Sequence, residues 1–203
     1  MPITVDGKNV NEVDSFIYLG KRLTKDGDIR QEIKRRIALG WAAFSKVDSI
    51  MKSRKTSMNT KRKVFNEYVL PVMMYGSETW ALTTANKDLL LVAQRKMERI
   101  MLGITLRDRM RNTHIRHLTG VIDIIDAIKS SKHRWAGHTA RLRDNRWTIR
   151  TTEWTPREWR RPRGRPAVRW NDELRRHLGP AWTREAKDRL RWKRSREGFL
   201  RNE

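Results

Sequence analysis

Residues 28–51 read DIRQEIKRRIALGWAAFSKVDSIM, and this stretch decides the fold. Ile29, Ile33, Ile37, Trp41, Phe44, Val47 and Met51 recur at spacings of three or four, which puts them on one face of an α-helix. Arg30, Lys34, Arg35 and Lys46 take the other face. Asp28 stands where a carboxylate can accept from the free amides of the first turn, with Gln31 three residues on to reach back. Gly40 costs about 1 kcal/mol relative to Ala inside a helix, so its presence predicts the close approach of a second helix.

Working outward, residues 1–26 read as strands. Ile3 and Val5 alternate with polar neighbours before a turn at Asp6-Gly7, and Ser15-Phe16-Ile17-Tyr18-Leu19-Gly20 is aromatic and β-branched. Two or three such strands are too few for a core of their own, so this end reads either as cut from something larger or as packed on the helices that follow. Downstream, Ser57 or Thr60 caps a second helix through Val64, Phe65, Tyr68, Val69, Val72 and Met73, with Pro71 expected to kink or restart it. Thr83 or Thr84 caps a third, whose stripe is Leu89, Leu90, Ala93, Met97, Ile100, Met101 and Ile104. The expected class is mainly α: a small N-terminal β-hairpin or meander (1–26) packed on a three-helix bundle (27–106) with Trp41 and Trp80 in its core. A basic, partly helical and partly extended region (107–203) follows. There the spacing predicts helices at 112–118 and 122–143, another through Trp170, Leu174 and Leu178, and a last one capped by Thr183. Pro156, Pro162, Gly164 and Pro166 favour extended chain between them.

The chain has 203 residues and a net charge of +23, from 46 Lys and Arg against 23 Asp and Glu. Residues 1–100 carry +8 of this and residues 101–203 carry +15. Such a charge destabilises a compact chain unless a polyanion neutralises it, which points to DNA or RNA as the partner and away from a membrane. The lack of cysteine excludes disulfides, thiolate metal sites and cysteine catalysis. No run reaches the ~18–20 apolar residues of a membrane span, and the N-terminus has no signal core. The expectation is a soluble, intracellular, nuclear protein.

Residues 134–170 hold eleven Arg, no Lys, five Trp and three acids. Arg grips phosphate with a planar fork, and Trp serves as a base platform or a core anchor. Three acids cannot neutralise eleven guanidinium groups, so Arg134, Arg141, Arg143, Arg146, Arg161, Arg163, Arg165 and Arg169 are read as nucleic-acid contacts. Most of Trp135, Trp147, Trp154, Trp159 and Trp170 are read as anchors. Arg161-Pro162-Arg163-Gly164-Arg165-Pro166 resembles a short minor-groove arm. No catalytic constellation is visible: there is no adjacent Asp-Asp pair, no phosphate-cradling Gly-rich loop and no Gly-x-Ser-x-Gly. Asp123 and Asp126 are read as helix-start residues, and His114, His117, His133 and His138 as surface or packing residues, so no metal is expected.

The order of motifs resembles the C-terminal part of the endonuclease/reverse transcriptase polyprotein of RTE-type non-LTR retrotransposons. The residues that carry the resemblance are Phe16 to Gly20, Asp26-Gly27 with Ile33 and Arg36-Ile37, and Tyr75-Gly76-Ser77-Glu78-Thr79-Trp80. Arg134-Trp135-Ala136-Gly137-His138, Gly164-Arg165-Pro166 with Trp170, and Asp188-Arg189 before Trp192 complete it. The resemblance implies that Tyr18, Leu19 and Gly20 end a palm and grip a primer. It implies a thumb in the helices, with Lys34 and Arg35 against a duplex, and contact with template RNA or target DNA from Arg134, Trp135, His138 and Gly164. The Ala-Asp-Asp strand that holds catalytic magnesium in that family is not in this sequence. The implied chain therefore binds nucleic acid, needs no cofactor of its own, catalyses nothing alone and partners the rest of a polymerase. The other reading is a host-retained structural or regulatory protein that uses the bundle for protein contact.

Overall fold

The stretch at 28–51 folds as two helices rather than one, α1 (Arg30–Lys46) and α2 (Asp48–Lys52), divided at Val47. The end of α1 tightens to an i→i−3 bond, Val47 N–H to the Phe44 carbonyl at 3.2 Å, and the bend carries Met51 into the core. Asp28 accepts from the Arg30 amide at 2.9 Å, but Gln31 does not reach back to it: its Oε1 faces the Arg22 guanidinium at 3.5 Å. The structure, a computed structural model, describes residues 4–6, 8–142, 148, 150, 152 and 168–201.

Upstream of α1 lie two antiparallel hairpins, β1 (Thr4–Val5) with β2 (Lys8–Asn9) and β3 (Ser15–Tyr18) with β4 (Lys21–Thr24). In the second, Tyr18 pairs with Lys21 across Leu19-Gly20, whose φ values are +46° and +76°. Positive φ at both central residues is what a two-residue hairpin turn demands.

The second predicted helix comprises α3 (Met58–Val64), a π-helical turn at Phe65–Val69 and α4 (Leu70–Met73) in an unbroken run. Ser57 caps it, accepting the Thr60 amide at 3.2 Å. The restart expected at Pro71 takes the form of the π-turn, which winds the backbone wider where proline supplies no amide. Helix α5 (Thr84–Leu102) is capped by Thr83, which accepts the Asn86 amide at 3.3 Å, and ends at Gly103 in the left-handed region. After α6 (Asn112–Thr119) come α7 (Ile124–Ala140), α8 (Trp170–Leu178), α9 (Trp182–Glu185) and α10 (Arg189–Arg201). Helix α7 is shorter at its end than the spacing predicted. Thr183 does not cap the last helix. Asp188 does, accepting the Leu190 and Arg191 amides at 2.9 and 3.1 Å, because Trp182 and Ala186 are drawn into a core and α9 closes between them.

Two apolar cores form among the described residues. The first gathers Ile33 and Phe44 of α1, Phe65 and Met73 of the second helix, Leu90 and Met97 of α5, Trp80, and Ile124, Ile125 and Ile128 of α7. Gly40 lies against Met73, whose side chain occupies the place a Cβ would take, so the predicted close helix approach is present. Trp41 sits at the edge of this core, half-buried and edge-on to Phe44 with centroids 5.7 Å apart. The second core holds Ala136, Leu174, Trp182, Ala186, Trp192 and Phe199. Burying each large side chain fully contributes about 1.5–3 kcal/mol. Helix α7 runs through both cores and ties the basic region to the bundle.

Candidate nucleic-acid interface

The turn Tyr75–Trp80 is the point on which the separate parts fasten. Gly76, at φ +74°, reverses the chain after α4, and Trp80 is buried. The Tyr75 hydroxyl donates to the Leu19 carbonyl at 3.2 Å, and Lys21 Nζ donates to Thr79 Oγ1 at 2.7 Å. The Arg36 guanidinium lies 4.3 Å from the centre of the Tyr75 ring and also donates to the Gly20 carbonyl. From the other side, Trp170 Nε1 donates to the Glu78 carbonyl at 2.7 Å. Hairpin, α1 and the C-terminal core therefore meet on one short turn.

That docking decides what the predicted site residues can do. Tyr18 and Leu19 stand out from the hairpin tip, 58% and 76% exposed. The Gly20 carbonyl is taken by Arg35 and Arg36. Lys34 faces solvent, whereas Arg35 is held by Glu32 at 2.8 Å. Burial alone would raise the Glu32 pKa, but bonds from Arg35, the Arg22 amide and Arg36 outweigh it and hold the carboxyl below its usual value. On α7, Arg134 and His138 are exposed, while Trp135 is half-buried and edge-on to Trp170 at 5.2 Å. Arg141 donates to the Ala186 carbonyl at 2.7 Å, and burial, then Arg189, lowers its pKa. Arg169 opens α8, its amide donating to Asp172 at 2.8 Å. Arg143, Arg146, Arg161, Arg163, Gly164 and Arg165 lie outside the described residues, as do Trp147, Trp154 and Trp159.

Tyr18, Leu19 and Arg134 come together on one groove of about 930 Å³. Leu70, Pro71, Met74, Ile122 and Ala127 supply apolar lining, and Tyr75, Lys21 and Arg196 line it as well. Two tyrosines and two arginines line it together with Glu78 and Asp126; an aromatic ring suits a flat base and a guanidinium its phosphate. Arg196 was not legible as a site residue: it reaches the groove through a 2.7 Å bond to Ser130 Oγ, 66 residues earlier. Tyr75 stands in a motif of the sequence but is not read there as a contact.

The packing beneath the groove explains the remaining motif residues. The Trp192 indole lies where a Cβ on Gly137 would be, and its Nε1 donates to the His133 carbonyl at 3.0 Å. The His133 ring stacks on Trp192 with centroids 4.2 Å apart, and its Nε2 is 3.1 Å from Ser195 Oγ. Burial, then Arg196 and Arg141, pushes the His133 pKa down to about 4. Lys132 is buried and donates to Glu173 at 2.8 Å. Asp123 caps α7 and pairs with buried Arg95, which also holds Glu98, and Arg116 reaches both Asp123 (3.3 Å) and Asp126 (3.7 Å). Asp123 and Asp126 thus share an arginine. Among the described residues no group of three or more His, Asp and Glu could hold a metal ion, and no helix is long and apolar enough to cross a membrane.

The chain is 36% identical over 200 residues to an uncharacterized transposon-derived protein of Caenorhabditis elegans, an alignment that covers 90% of this chain and 70% of the nematode protein. No protein-family model matches the chain. No solved structure matches it significantly.

Proposed function

This chain belongs to a family of transposon-derived proteins, and on that premise we propose that it is the nucleic-acid-holding part of an RTE-type reverse transcriptase and is not catalytic by itself. The observation that carries the reading is the way charge is divided between inside and surface. Glu32, Glu98 and Asp123 are buried and Glu173 half-buried, each holding an internal Arg or Lys. Arg134, Arg175, Arg176, Arg189, Lys193 and Arg194 are exposed. The buried acids are matched inside by buried cations (Arg36, Lys61, Arg95, Lys129 and Lys132), so most of the net charge of +23 is carried outside these buried residues, where a phosphate backbone is the natural counter-ion.

In this reading the groove takes one strand, with Tyr18 and Tyr75 against bases and Arg134 and Arg196 against phosphates. Lys34 and the 143–169 segment add backbone contacts. DNA, RNA or a hybrid of the two is the partner, the nucleus is the place of action, and magnesium chemistry belongs to residues this sequence does not contain. Fluorescence anisotropy with a labelled 20-bp duplex tests it. Neutralising ~6–8 phosphates gives a log–log salt slope of about −5 to −7, unchanged by EDTA. A flat slope, or no binding at 50 mM salt, overturns the reading.

One observation favours the alternative of protein contact. Phe16, Ile17, Tyr18 and Leu19 are all more than half exposed on the β3–β4 hairpin, and an apolar patch of that kind marks an interaction surface. Its partner would be the rest of a polymerase or a host protein. Sedimentation of the nuclease-treated chain separates the readings: association that persists without nucleic acid supports the second.

A further inference from the structure

We propose that the end of the bundle where α3, α5 and α6 meet is an additional phosphate-binding surface, outside the groove, that grips the backbone of duplex nucleic acid. The proposal rests on the reading that the chain binds nucleic acid and adds a place to it. Residues 53–63 and 99–119 contain ten Lys and Arg and one acid, Asp108. That acid is engaged locally: Asp108 accepts the Thr105 amide at 2.6 Å and the Thr105 hydroxyl at 2.9 Å.

Three contacts hold these segments together. Lys61, buried, donates from Nζ to the Met101 carbonyl at 2.7 Å, fixing α3 to the end of α5. Arg99 donates to Asn112 Oδ1 at 2.8 Å, fixing α5 to the start of α6. The Arg62 side chain packs against Gly120 at the end of α6, close enough that a Cβ there would meet its Nη1 at 2.9 Å. Helix α6 buries Ile115 and Thr119 and turns His114 and His117 outward. Around this frame Arg62, Lys63, Arg107, Arg109 and Arg111 are exposed, and none of them lines the groove.

Like charges gathered on a fixed frame repel one another unless an external anion lies across them. Cations from three separate segments suit a repeating anion rather than a single one. Phosphates along a duplex supply that repeat.

The test uses the full chain with a 20-bp DNA duplex and an RNA duplex of the same sequence. Lys63→Ala, Arg107→Ala and Arg111→Ala combined remove three charges, and the log–log salt slope on DNA should become shallower by about 2.7, at about 0.9 per phosphate. Lysine acetylation of the unsubstituted chain gives a readout independent of folding of the variant: bound duplex should slow modification of Lys55 and Lys63. Wild-type binding with an unchanged slope in a folded variant, or with Lys55 and Lys63 fully reactive, overturns this proposal and leaves nucleic-acid binding standing. Failure of the wild type to bind either duplex overturns both. Protection by an acidic polypeptide and not by either duplex would assign the surface to a protein and overturn the proposal.

Discussion

His133 is buried, stacked on Trp192 and held neutral, with a pKa pushed down to about 4 by burial and by the cations Arg196 and Arg141. A basic group whose folded pKa lies below its unfolded value of 6.5 contributes stability that is present above pH 6.5 and is lost as pH falls toward 4, because only the unfolded chain takes up the proton in that window. The size of that loss is about 3 kcal/mol. His177, also lowered by burial, acts in the same sense. Glu98, raised by burial, opposes it below its own raised pKa, and Glu32 and Glu173, held low, lose their contribution only below 4.5. We expect urea unfolding to show a falling stability between pH 7.5 and 4, and a clearly smaller fall for His133→Gln. Parallel pH profiles for the two proteins would refute the assignment.

The crossing of α7 and α10 depends on Gly137. A methyl group there would enter the space of the Trp192 indole and displace its bond to the His133 carbonyl. Overpacking of that kind costs about 1–3 kcal/mol and exceeds the ~1 kcal/mol that Ala gains over Gly in a helix. Gly137→Ala should therefore lower the unfolding free energy, and a stabilised variant would contradict the packing. The same crossing shows where sequence reading stops. The period of 3.6 made α1, α5 and α7 legible, and Gly40 correctly announced a close neighbour, because both signals are local. The partner of Gly137 lies 55 residues away and leaves no local mark. Thr183 and Asp188 are both good cap residues before a basic run. Burial of Trp182 and Ala186, a tertiary fact, selected Asp188. The division at Val47 has the same origin, since it is Met51 reaching the core that bends the chain.

Taken whole, the molecule uses its recurrent motif residues as fasteners and its plain cations as surface. Tyr75 to Trp80, Gly137, Trp170, Asp188 and Trp192 hold elements together, so these motif residues build the frame. Tyr18, Leu19 and Arg134, read from the sequence as candidate contacts, share a groove, while Arg35 and Arg141 are engaged within the protein. Arg196 and the α3–α6 cations could be placed only in three dimensions. The most direct measurement is the salt dependence of duplex binding for the wild type and for Arg189→Ala, Lys193→Ala and Arg194→Ala combined, with the unfolding midpoint recorded for each. The account predicts a wild-type slope of about −5 to −7, made shallower by about 2–3 in the variant, with the midpoint unchanged. An equal slope in both proteins, or a loss of binding that follows a loss of folding, would contradict it.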